Sequence, residues 1–176
     1  MRKRCRSFYS HAIEIHNTGS ADVDRLTSWH FADQMYARGV KLGAVAADDA
    51  HFNPRGDLAD VAGGWVHVKA DALDEQAILT ALKAGDYLLI DGLEIEDLLF
   101  DGELLRVTTS PVDHIISGRG SLVFLHLPTQ PNHRRVPHSA GRWFTQPWAQ
   151  KNFFRLTAVV DAGGRAWSNP IWLDVD

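Results

Sequence analysis

This sequence of 176 residues lacks the features that define several common protein classes. Cys5 is its only cysteine, which excludes a disulfide framework and a cysteine-ligated zinc cluster and fits a reducing compartment. No apolar run approaches the length of a membrane-spanning helix. The basic residues at positions 2–6 are not followed by an apolar segment, which argues against a signal peptide. The sequence therefore predicts a cytoplasmic protein that does not insert into membranes.

The charge balance narrows the range of partners. Lysine and arginine total 18 and aspartate and glutamate total 22, so the formal net charge is −4. This value gives no reason to expect nucleic acid or an anionic membrane as a partner. The hydrophobic content of 45% and charged content of 23% are ordinary for a globular protein with a core. No G-x-S-x-G element is present, which removes one class of serine hydrolase.

Residues 42–51 are the most informative stretch. A run of small and apolar residues leads directly into Asp48, Asp49 and, after one alanine, His51. Such a run is typical of a buried strand, and α/β folds hold their chemistry at the carboxyl ends of such strands. On an extended chain Asp49 and His51 point the same way, so together they could bind a divalent metal or hold a water for attack. The alternative is a solvated strand end, with the aspartate capping a loop.

The segments before this strand predict a strand–helix–strand unit. Residues 11–17 alternate in polarity, and helical spacing follows and ends at Gly39. A parallel pair with a right-handed crossover is the expected outcome. This arrangement would bring the carboxyl end of the first strand close to Asp49 and His51. The residues predicted to border the same pocket are Glu14, His16, Asn17 and Asp48.

The rest of the chain divides at about residue 90. Before this point we expect a half-exposed strand at residues 65–70 and a helix capped by Asp74 and ended by Gly85. After it, turn signals are frequent, and two hairpins are predicted around residues 101–102 and 161–164. The predicted organisation is an α/β segment of parallel strands and two helices over residues 1–90, packed on an antiparallel β-sandwich over residues 91–176.

The order of these segments resembles the PHP (polymerase and histidinol phosphatase) family. More narrowly, it resembles the PHP metallohydrolases with a C-terminal β-sandwich, the carbaryl-hydrolase-like branch. Residues 12–17 are similar to the family's "GIEVYN" strand, residues 33–39 to its "D-x-L-L-x-x-G" helix end, and residues 47–51 to its last metal motif, D-x-H. Further matching segments are residues 63–68, 78–85, 109–111 and 166–170. The resemblance covers nearly the whole chain from about His11 onward.

This resemblance implies a metal-dependent phosphoesterase acting on a phosphorylated small molecule. Family members have a distorted barrel and a centre of zinc, manganese or iron that activates a water for attack on phosphorus. Only Asp49 and His51 carry over as metal ligands and catalytic residues. Glu14 and Asn17 match a motif that borders the pocket.

The chain also departs from the family pattern. The N-terminal metal motifs are absent, and no His-x-His occurs anywhere in the sequence. A barrel with fewer than about half its strands cannot close and leaves open sheet edges. Catalytic metals usually have at least three protein ligands. We therefore expect the C-terminal part of such an enzyme, incomplete as a catalyst alone. The alternative is a non-catalytic β-rich module that binds a partner or forms a homo-oligomer through its open sheet edge.

Overall fold

The computed structural model describes residues 10–23, 27–52, 60–101, 104–119, 122–128, 134–137 and 153–173. Within these ranges the protein has a β-rich α/β fold with antiparallel sheets. The described elements, in chain order, are β1 (Ala12–Asn17), a 3-10 helix (Thr18–Val23), α1 (Trp29–Ala37), β2 (Gly43–Ala47), β3 (Trp65–Val68), α2 (Glu75–Ala84), β4 (Tyr87–Asp91), β5 (Ile95–Phe100), β6 (Leu104–Thr109), β7 (His114–Arg119), β8 (Leu122–Pro128), β9 (Arg134–Pro137), β10 (Phe153–Val159), β11 (Arg165–Ser168) and β12 (Ile171–Trp172).

The first two strands form a parallel pair, which confirms the predicted strand–helix–strand unit. Their register runs from Ala12 opposite Gly43 to Asn17 opposite Ala47. Helix α1 lies between them in the chain and ends before Gly39, whose φ of 79° is left-handed. Because the pair is parallel, both carboxyl ends lie at one edge, and the residues that follow β1 and β2 are neighbours. None of the described helices has the length and apolarity needed to cross a membrane.

The largest sheet is antiparallel and follows the order β3-β4-β11-β10-β7-β8, with β12 also paired to β10. The expectation that all strands of the first half are parallel is therefore wrong for β3 and β4. The Lys69 N–H donates to the Asp86 carbonyl at 2.9 Å, so the chain leaves and re-enters the sheet at the same end. Helix α2 lies within that excursion, and β4 consequently runs back along β3.

The largest sheet contains strands from both sides of the predicted segment boundary between residues 90 and 91. Strand β4 pairs with β11, and Ile90 lies opposite Ala166. A second antiparallel sheet follows the order β5-β6-β9. Pairing of β5 with β6, and of β10 with β11, confirms both predicted hairpins. Strand β9 lies inside a stretch of the sequence that is rich in proline and turn residues.

Two apolar cores hold these layers together. One lies between the antiparallel sheets and is built from buried residues of β4, β5, β6, β7, β10 and β11. The other joins the parallel pair and α1 to the largest sheet, and it contains Ile15, Tyr36, Leu89, Phe153 and Trp167. Since the second core draws residues from both predicted segments, the parallel pair is fixed on the antiparallel sheet by shared apolar burial.

Candidate functional site

Three of the predicted site residues meet at the carboxyl end of the parallel pair. The Asn17 side-chain amide donates to Glu14 Oε2 at 3.1 Å and to Asp49 Oδ2 at 3.3 Å. The amide oxygen of Asn17 accepts the Ser20 N–H at 2.9 Å, which fixes the orientation of the amide. A register shift between Glu14 and His16 accompanies this arrangement. The structure thus brings Glu14 of β1 and Asp49, which follows the end of β2, onto one hydrogen-bond donor.

Asp48 has a different role from its neighbour. Its carboxylate accepts the backbone N–H groups of Ala62, Gly63 and Gly64 at 2.7, 2.8 and 2.7 Å. Desolvation alone would raise the pKa of Asp48, but these three bonds and the nearby His16 outweigh it and lower the pKa. Asp48 therefore stays ionised and fastens residues 62–64 to the end of β2.

The chain is not extended where Asp49 and His51 lie. Strand β2 ends at Ala47, and Asp49 has a left-handed φ of 53°. The Gly19 N–H donates to the Asp48 carbonyl at 2.7 Å, so the 3-10 helix packs against this turn. The expectation that Asp49 and His51 share one side of an extended strand is therefore wrong. Aspartate tolerates the left-handed conformation better than most residues, which explains how the turn is accommodated.

His51 lies on the surface beside Asp60. Its side chain is 73% exposed, and its Nδ1 is 3.5 Å from Asp60 Oδ2. The His51 backbone N–H donates to the same oxygen at 2.8 Å. The imidazole is therefore accessible to solvent and to ligands. Asp60 is a neighbour of His51 that the sequence pattern did not single out, since nine residues separate the two.

His16 is buried rather than exposed in the pocket. The residue is 2% exposed, its Nε2 is 3.3 Å from Thr18 Oγ1, and its ring centroid is 5.5 Å from that of Trp167. A Cβ on Gly64 would lie 2.7 Å from His16 Cδ2 and 2.9 Å from the Ala47 carbonyl oxygen. The backbone of residue 64 thus covers this histidine closely. Position 64 therefore requires glycine for lack of space. From the sequence alone, the Gly63-Gly64 pair indicates only a turn.

The described residues fit a metal centre only in part. Within them, no group of three or more histidine, cysteine, aspartate or glutamate side chains is placed to hold a metal ion. The Asn17 amide lies between Glu14 and Asp49, and both oxygens of Asp48 already accept backbone N–H groups. The two predicted ligands are the Asp49 carboxylate, whose Oδ2 accepts from the Asn17 amide, and the imidazole of His51, which is 73% exposed. Two ligands fall short of the three that catalytic metals usually have.

Comparisons with known proteins leave this geometry as the main guide to function. No protein-family model matches the chain, no curated protein matches it, and no solved structure matches it.

Proposed function

We propose that this chain is the C-terminal part of a PHP-like metal-dependent phosphoesterase and that it contributes part of the metal centre. The observation that carries the proposal is the pair of contacts from the Asn17 amide to Glu14 and Asp49. These contacts bring a carboxylate of β1 together with one that follows β2, beside the carboxyl ends of the parallel pair, which is where α/β enzymes build their sites. The order of the matching sequence segments supports the same assignment.

In this proposal Asp49 and His51 are the residues that hold the metal. A bound divalent zinc, manganese or iron would supply Lewis acidity and an activated water. Asn17 orients the Asp49 carboxylate through its amide, and Asp48 holds residues 62–64 at the end of β2. Because two side chains do not complete a catalytic site, the remaining ligands must lie outside the described residues of this chain or on a second copy of it. We therefore assign no reaction step to the described residues alone.

Metal retention tests this proposal. The wild-type chain, loaded with zinc, manganese or iron and then dialysed, is compared with an Asp49→Ala/His51→Ala variant by elemental analysis. The matched control is His114→Ala/Asp161→Ala, which removes another histidine–aspartate pair whose nitrogen and oxygen lie 3.1 Å apart. We expect near-stoichiometric metal in the wild type and in the control, and loss of metal in the Asp49→Ala/His51→Ala variant.

Other results would overturn the proposal. If the wild type retains no metal, or if the Asp49→Ala/His51→Ala variant retains as much as the wild type, these two residues are not ligands. The alternative hypothesis is then that the chain is a non-catalytic β-rich module. Its self-association can be measured by analytical ultracentrifugation. If metal is retained, hydrolysis of a phosphomonoester by the loaded chain is the next assay.

A further inference from the structure

The largest sheet extends beyond the smaller sheet that covers it. In the ladder of β3 with β4, Trp65 lies opposite Ile90, and His67 lies opposite Leu88. Opposite residues of an antiparallel pair share one face, so Trp65 and His67 are on the face that forms the core between the two sheets. Both residues are nevertheless exposed, Trp65 to 38%. In the described part of the chain, the sandwich is therefore open over its edge strand β3.

A groove of about 1030 Å³ lies next to this open face. It is lined by residues 96–98 of β5 and by none of β6, so it lies on the outer side of β5. His67 and Leu88 of the open face and Gln76 and Thr80 of α2 also line it. The sheet order β5-β6-β9 leaves the outer edge of β5 without a strand partner among the described residues. An unpaired edge beside a groove can accept an extended segment as an added strand.

The rim of the groove is acidic. Its exposed carboxylate residues are Asp71, Asp74, Asp86, Glu96 and Asp97. Lys69 also lines the groove, and its Nζ lies 3.5 Å from Asp97 Oδ1, with the two side chains 75% and 58% exposed. Such an exposed pair adds little stability, but it shows that a cation fits between the end of β3 and β5. Among the described residues, no lysine or arginine lies within salt-bridge distance of Asp71, Asp86 or Glu96.

This charge identifies the kind of strand that fits the groove. Pairing of β5 with β5 of a second copy would bring Glu96 and Asp97 of both copies together, and repulsion among these carboxylates opposes it. The register shift between Ile95 and Asp97 also hinders unselective pairing, as bulges and charges do on other edge strands. A strand with lysine or arginine on one face is attracted instead. Its other face would meet the half-buried side chains of Leu88 and Leu98.

We propose that the groove binds an extended basic segment of another protein, which adds as a strand beside β5 and covers the open face of β3. The backbone of residues 96–98 pairs with this segment, and the basic side chains of the segment lie beside the carboxylates of the rim. Its alternate apolar side chains lie on Leu88 and Leu98. This inference is independent of the metal centre, because the groove and the carboxyl end of the parallel pair share no residue.

A synthetic peptide of about eight residues that alternates lysine and valine is the probe. Its binding to the full chain is measured by fluorescence anisotropy at low and high salt. One control peptide carries glutamate in place of each lysine. A second carries proline in place of each valine, which keeps the charge but removes the backbone N–H groups that a strand needs. We expect the lysine–valine peptide to bind at least about tenfold more tightly than either control, and high salt to weaken it.

Hydrogen exchange at single amides locates the bound peptide. We expect saturating peptide to slow exchange at least about tenfold at those amides of residues 96–98 that face away from β6, because strand addition gives them acceptors. The amides of β8, which is the opposite edge strand of the largest sheet, serve as the control and should not change. Absence of binding, equal binding of the proline peptide, or unchanged exchange at residues 96–98 would each overturn the proposal. Equally slow exchange there without peptide would also overturn it, since the edge would then be covered already.

A charge reversal separates binding in the groove from attraction to the net charge of the chain. Glu96→Lys changes a residue that lines the groove, whereas Glu94→Lys makes the same change at an exposed residue just outside β5 and outside the lining. We expect Glu96→Lys to weaken binding of the lysine–valine peptide about tenfold and Glu94→Lys to leave it unchanged. Equal effects of the two reversals would contradict binding in the groove. Circular dichroism confirms that each variant is folded.

Discussion

Asn169 attaches the parallel pair to the antiparallel sheet through Ala44. Its Oδ1 accepts the Ala44 N–H at 2.7 Å, and its Nδ2 donates to the carbonyls of Gly85 and Tyr87 at 2.9 and 3.1 Å. The residue is 8% exposed. One amide thus satisfies a backbone group of β2, the end of α2 and the start of β4. Because these groups belong to three elements, Asn169 fixes their relative positions.

Replacement of this amide should be costly. Asn169→Ala removes the acceptor of the buried Ala44 N–H and one donor from each of the Gly85 and Tyr87 carbonyls, and we expect the free energy of unfolding to fall by about 3 kcal/mol. Urea denaturation of both proteins measures this difference. The control is Gln34→Ala, which removes an exposed amide bonded to His30. A loss below about 0.5 kcal/mol in Asn169→Ala would show that water replaces the side chain.

The ion pair of Asp33 and Arg155 joins α1 to β10. Nε and Nη2 of the arginine donate to the two carboxylate oxygens at 3.0 and 2.9 Å, and the guanidinium lies 4.1 Å from the Trp29 ring centroid. The Arg155 and Asp33 side chains are only 13% and 7% exposed. The fork geometry and the contact with the indole ring are both specific to arginine.

The number of charges that a substitution retains should therefore be a poor guide to its cost in unfolding free energy. Arg155→Lys keeps the charge but loses the fork and the ring contact, and we expect it to cost about 2–3 kcal/mol. Asp33→Leu/Arg155→Met removes both charges and should cost less than the sum of the two single changes, since neither partner is left buried alone. A double-mutant cycle from thermal or urea unfolding measures the coupling. Additive losses would show that the pair is energetically independent.

Local signals in the sequence predicted the elements well. Asp74 accepts the Ala77 N–H at 2.9 Å, and Gly85 ends α2 with a φ of 83°, as their positions in the sequence predicted. Both hairpins and the parallel pair also follow from local turn chemistry and alternation. Long-range contacts were not predictable in this way. Asn169 and Ala44 are 125 residues apart, and no local pattern links them.

The different roles of the adjacent Asp48 and Asp49 could not be predicted from the sequence. The D-x-H spacing drew attention to Asp49 and His51, whereas Asp48 has more hydrogen bonds to the backbone than either. The partners of Asp48 lie 14–16 residues further along the chain. The left-handed backbone at Asp49 determines that Asp48 faces residues 62–64 and Asp49 faces Asn17. One sequence alone does not predict this conformation.

The role of Asp48 predicts a pH dependence. Asp48→Asn places an amide donor against backbone N–H groups, and we expect a loss of about 2 kcal/mol at neutral pH. Since the folded pKa of Asp48 is lowered, the carboxylate contributes fully above its unfolded pKa of about 4, and this contribution is lost as the pH falls through the folded pKa. The difference between wild type and variant should therefore shrink below about pH 4. Unfolding curves across this range test the sign, and a constant difference would contradict it.

Asn17→Asp probes the carboxylate cluster itself. The substitution keeps the acceptor for the Ser20 N–H but replaces the donor between Glu14 and Asp49 with a third carboxylate. In the presence of a chelator we expect the Tm to fall by about 2 °C through like-charge repulsion. Manganese or calcium should restore the Tm, because three clustered carboxylates favour hard divalent cations. Asn17→Ala is the control, since it removes the donor without adding a ligand. If divalent cations raise the Tm of both variants equally, the side chain at position 17 does not face a space that a cation can occupy.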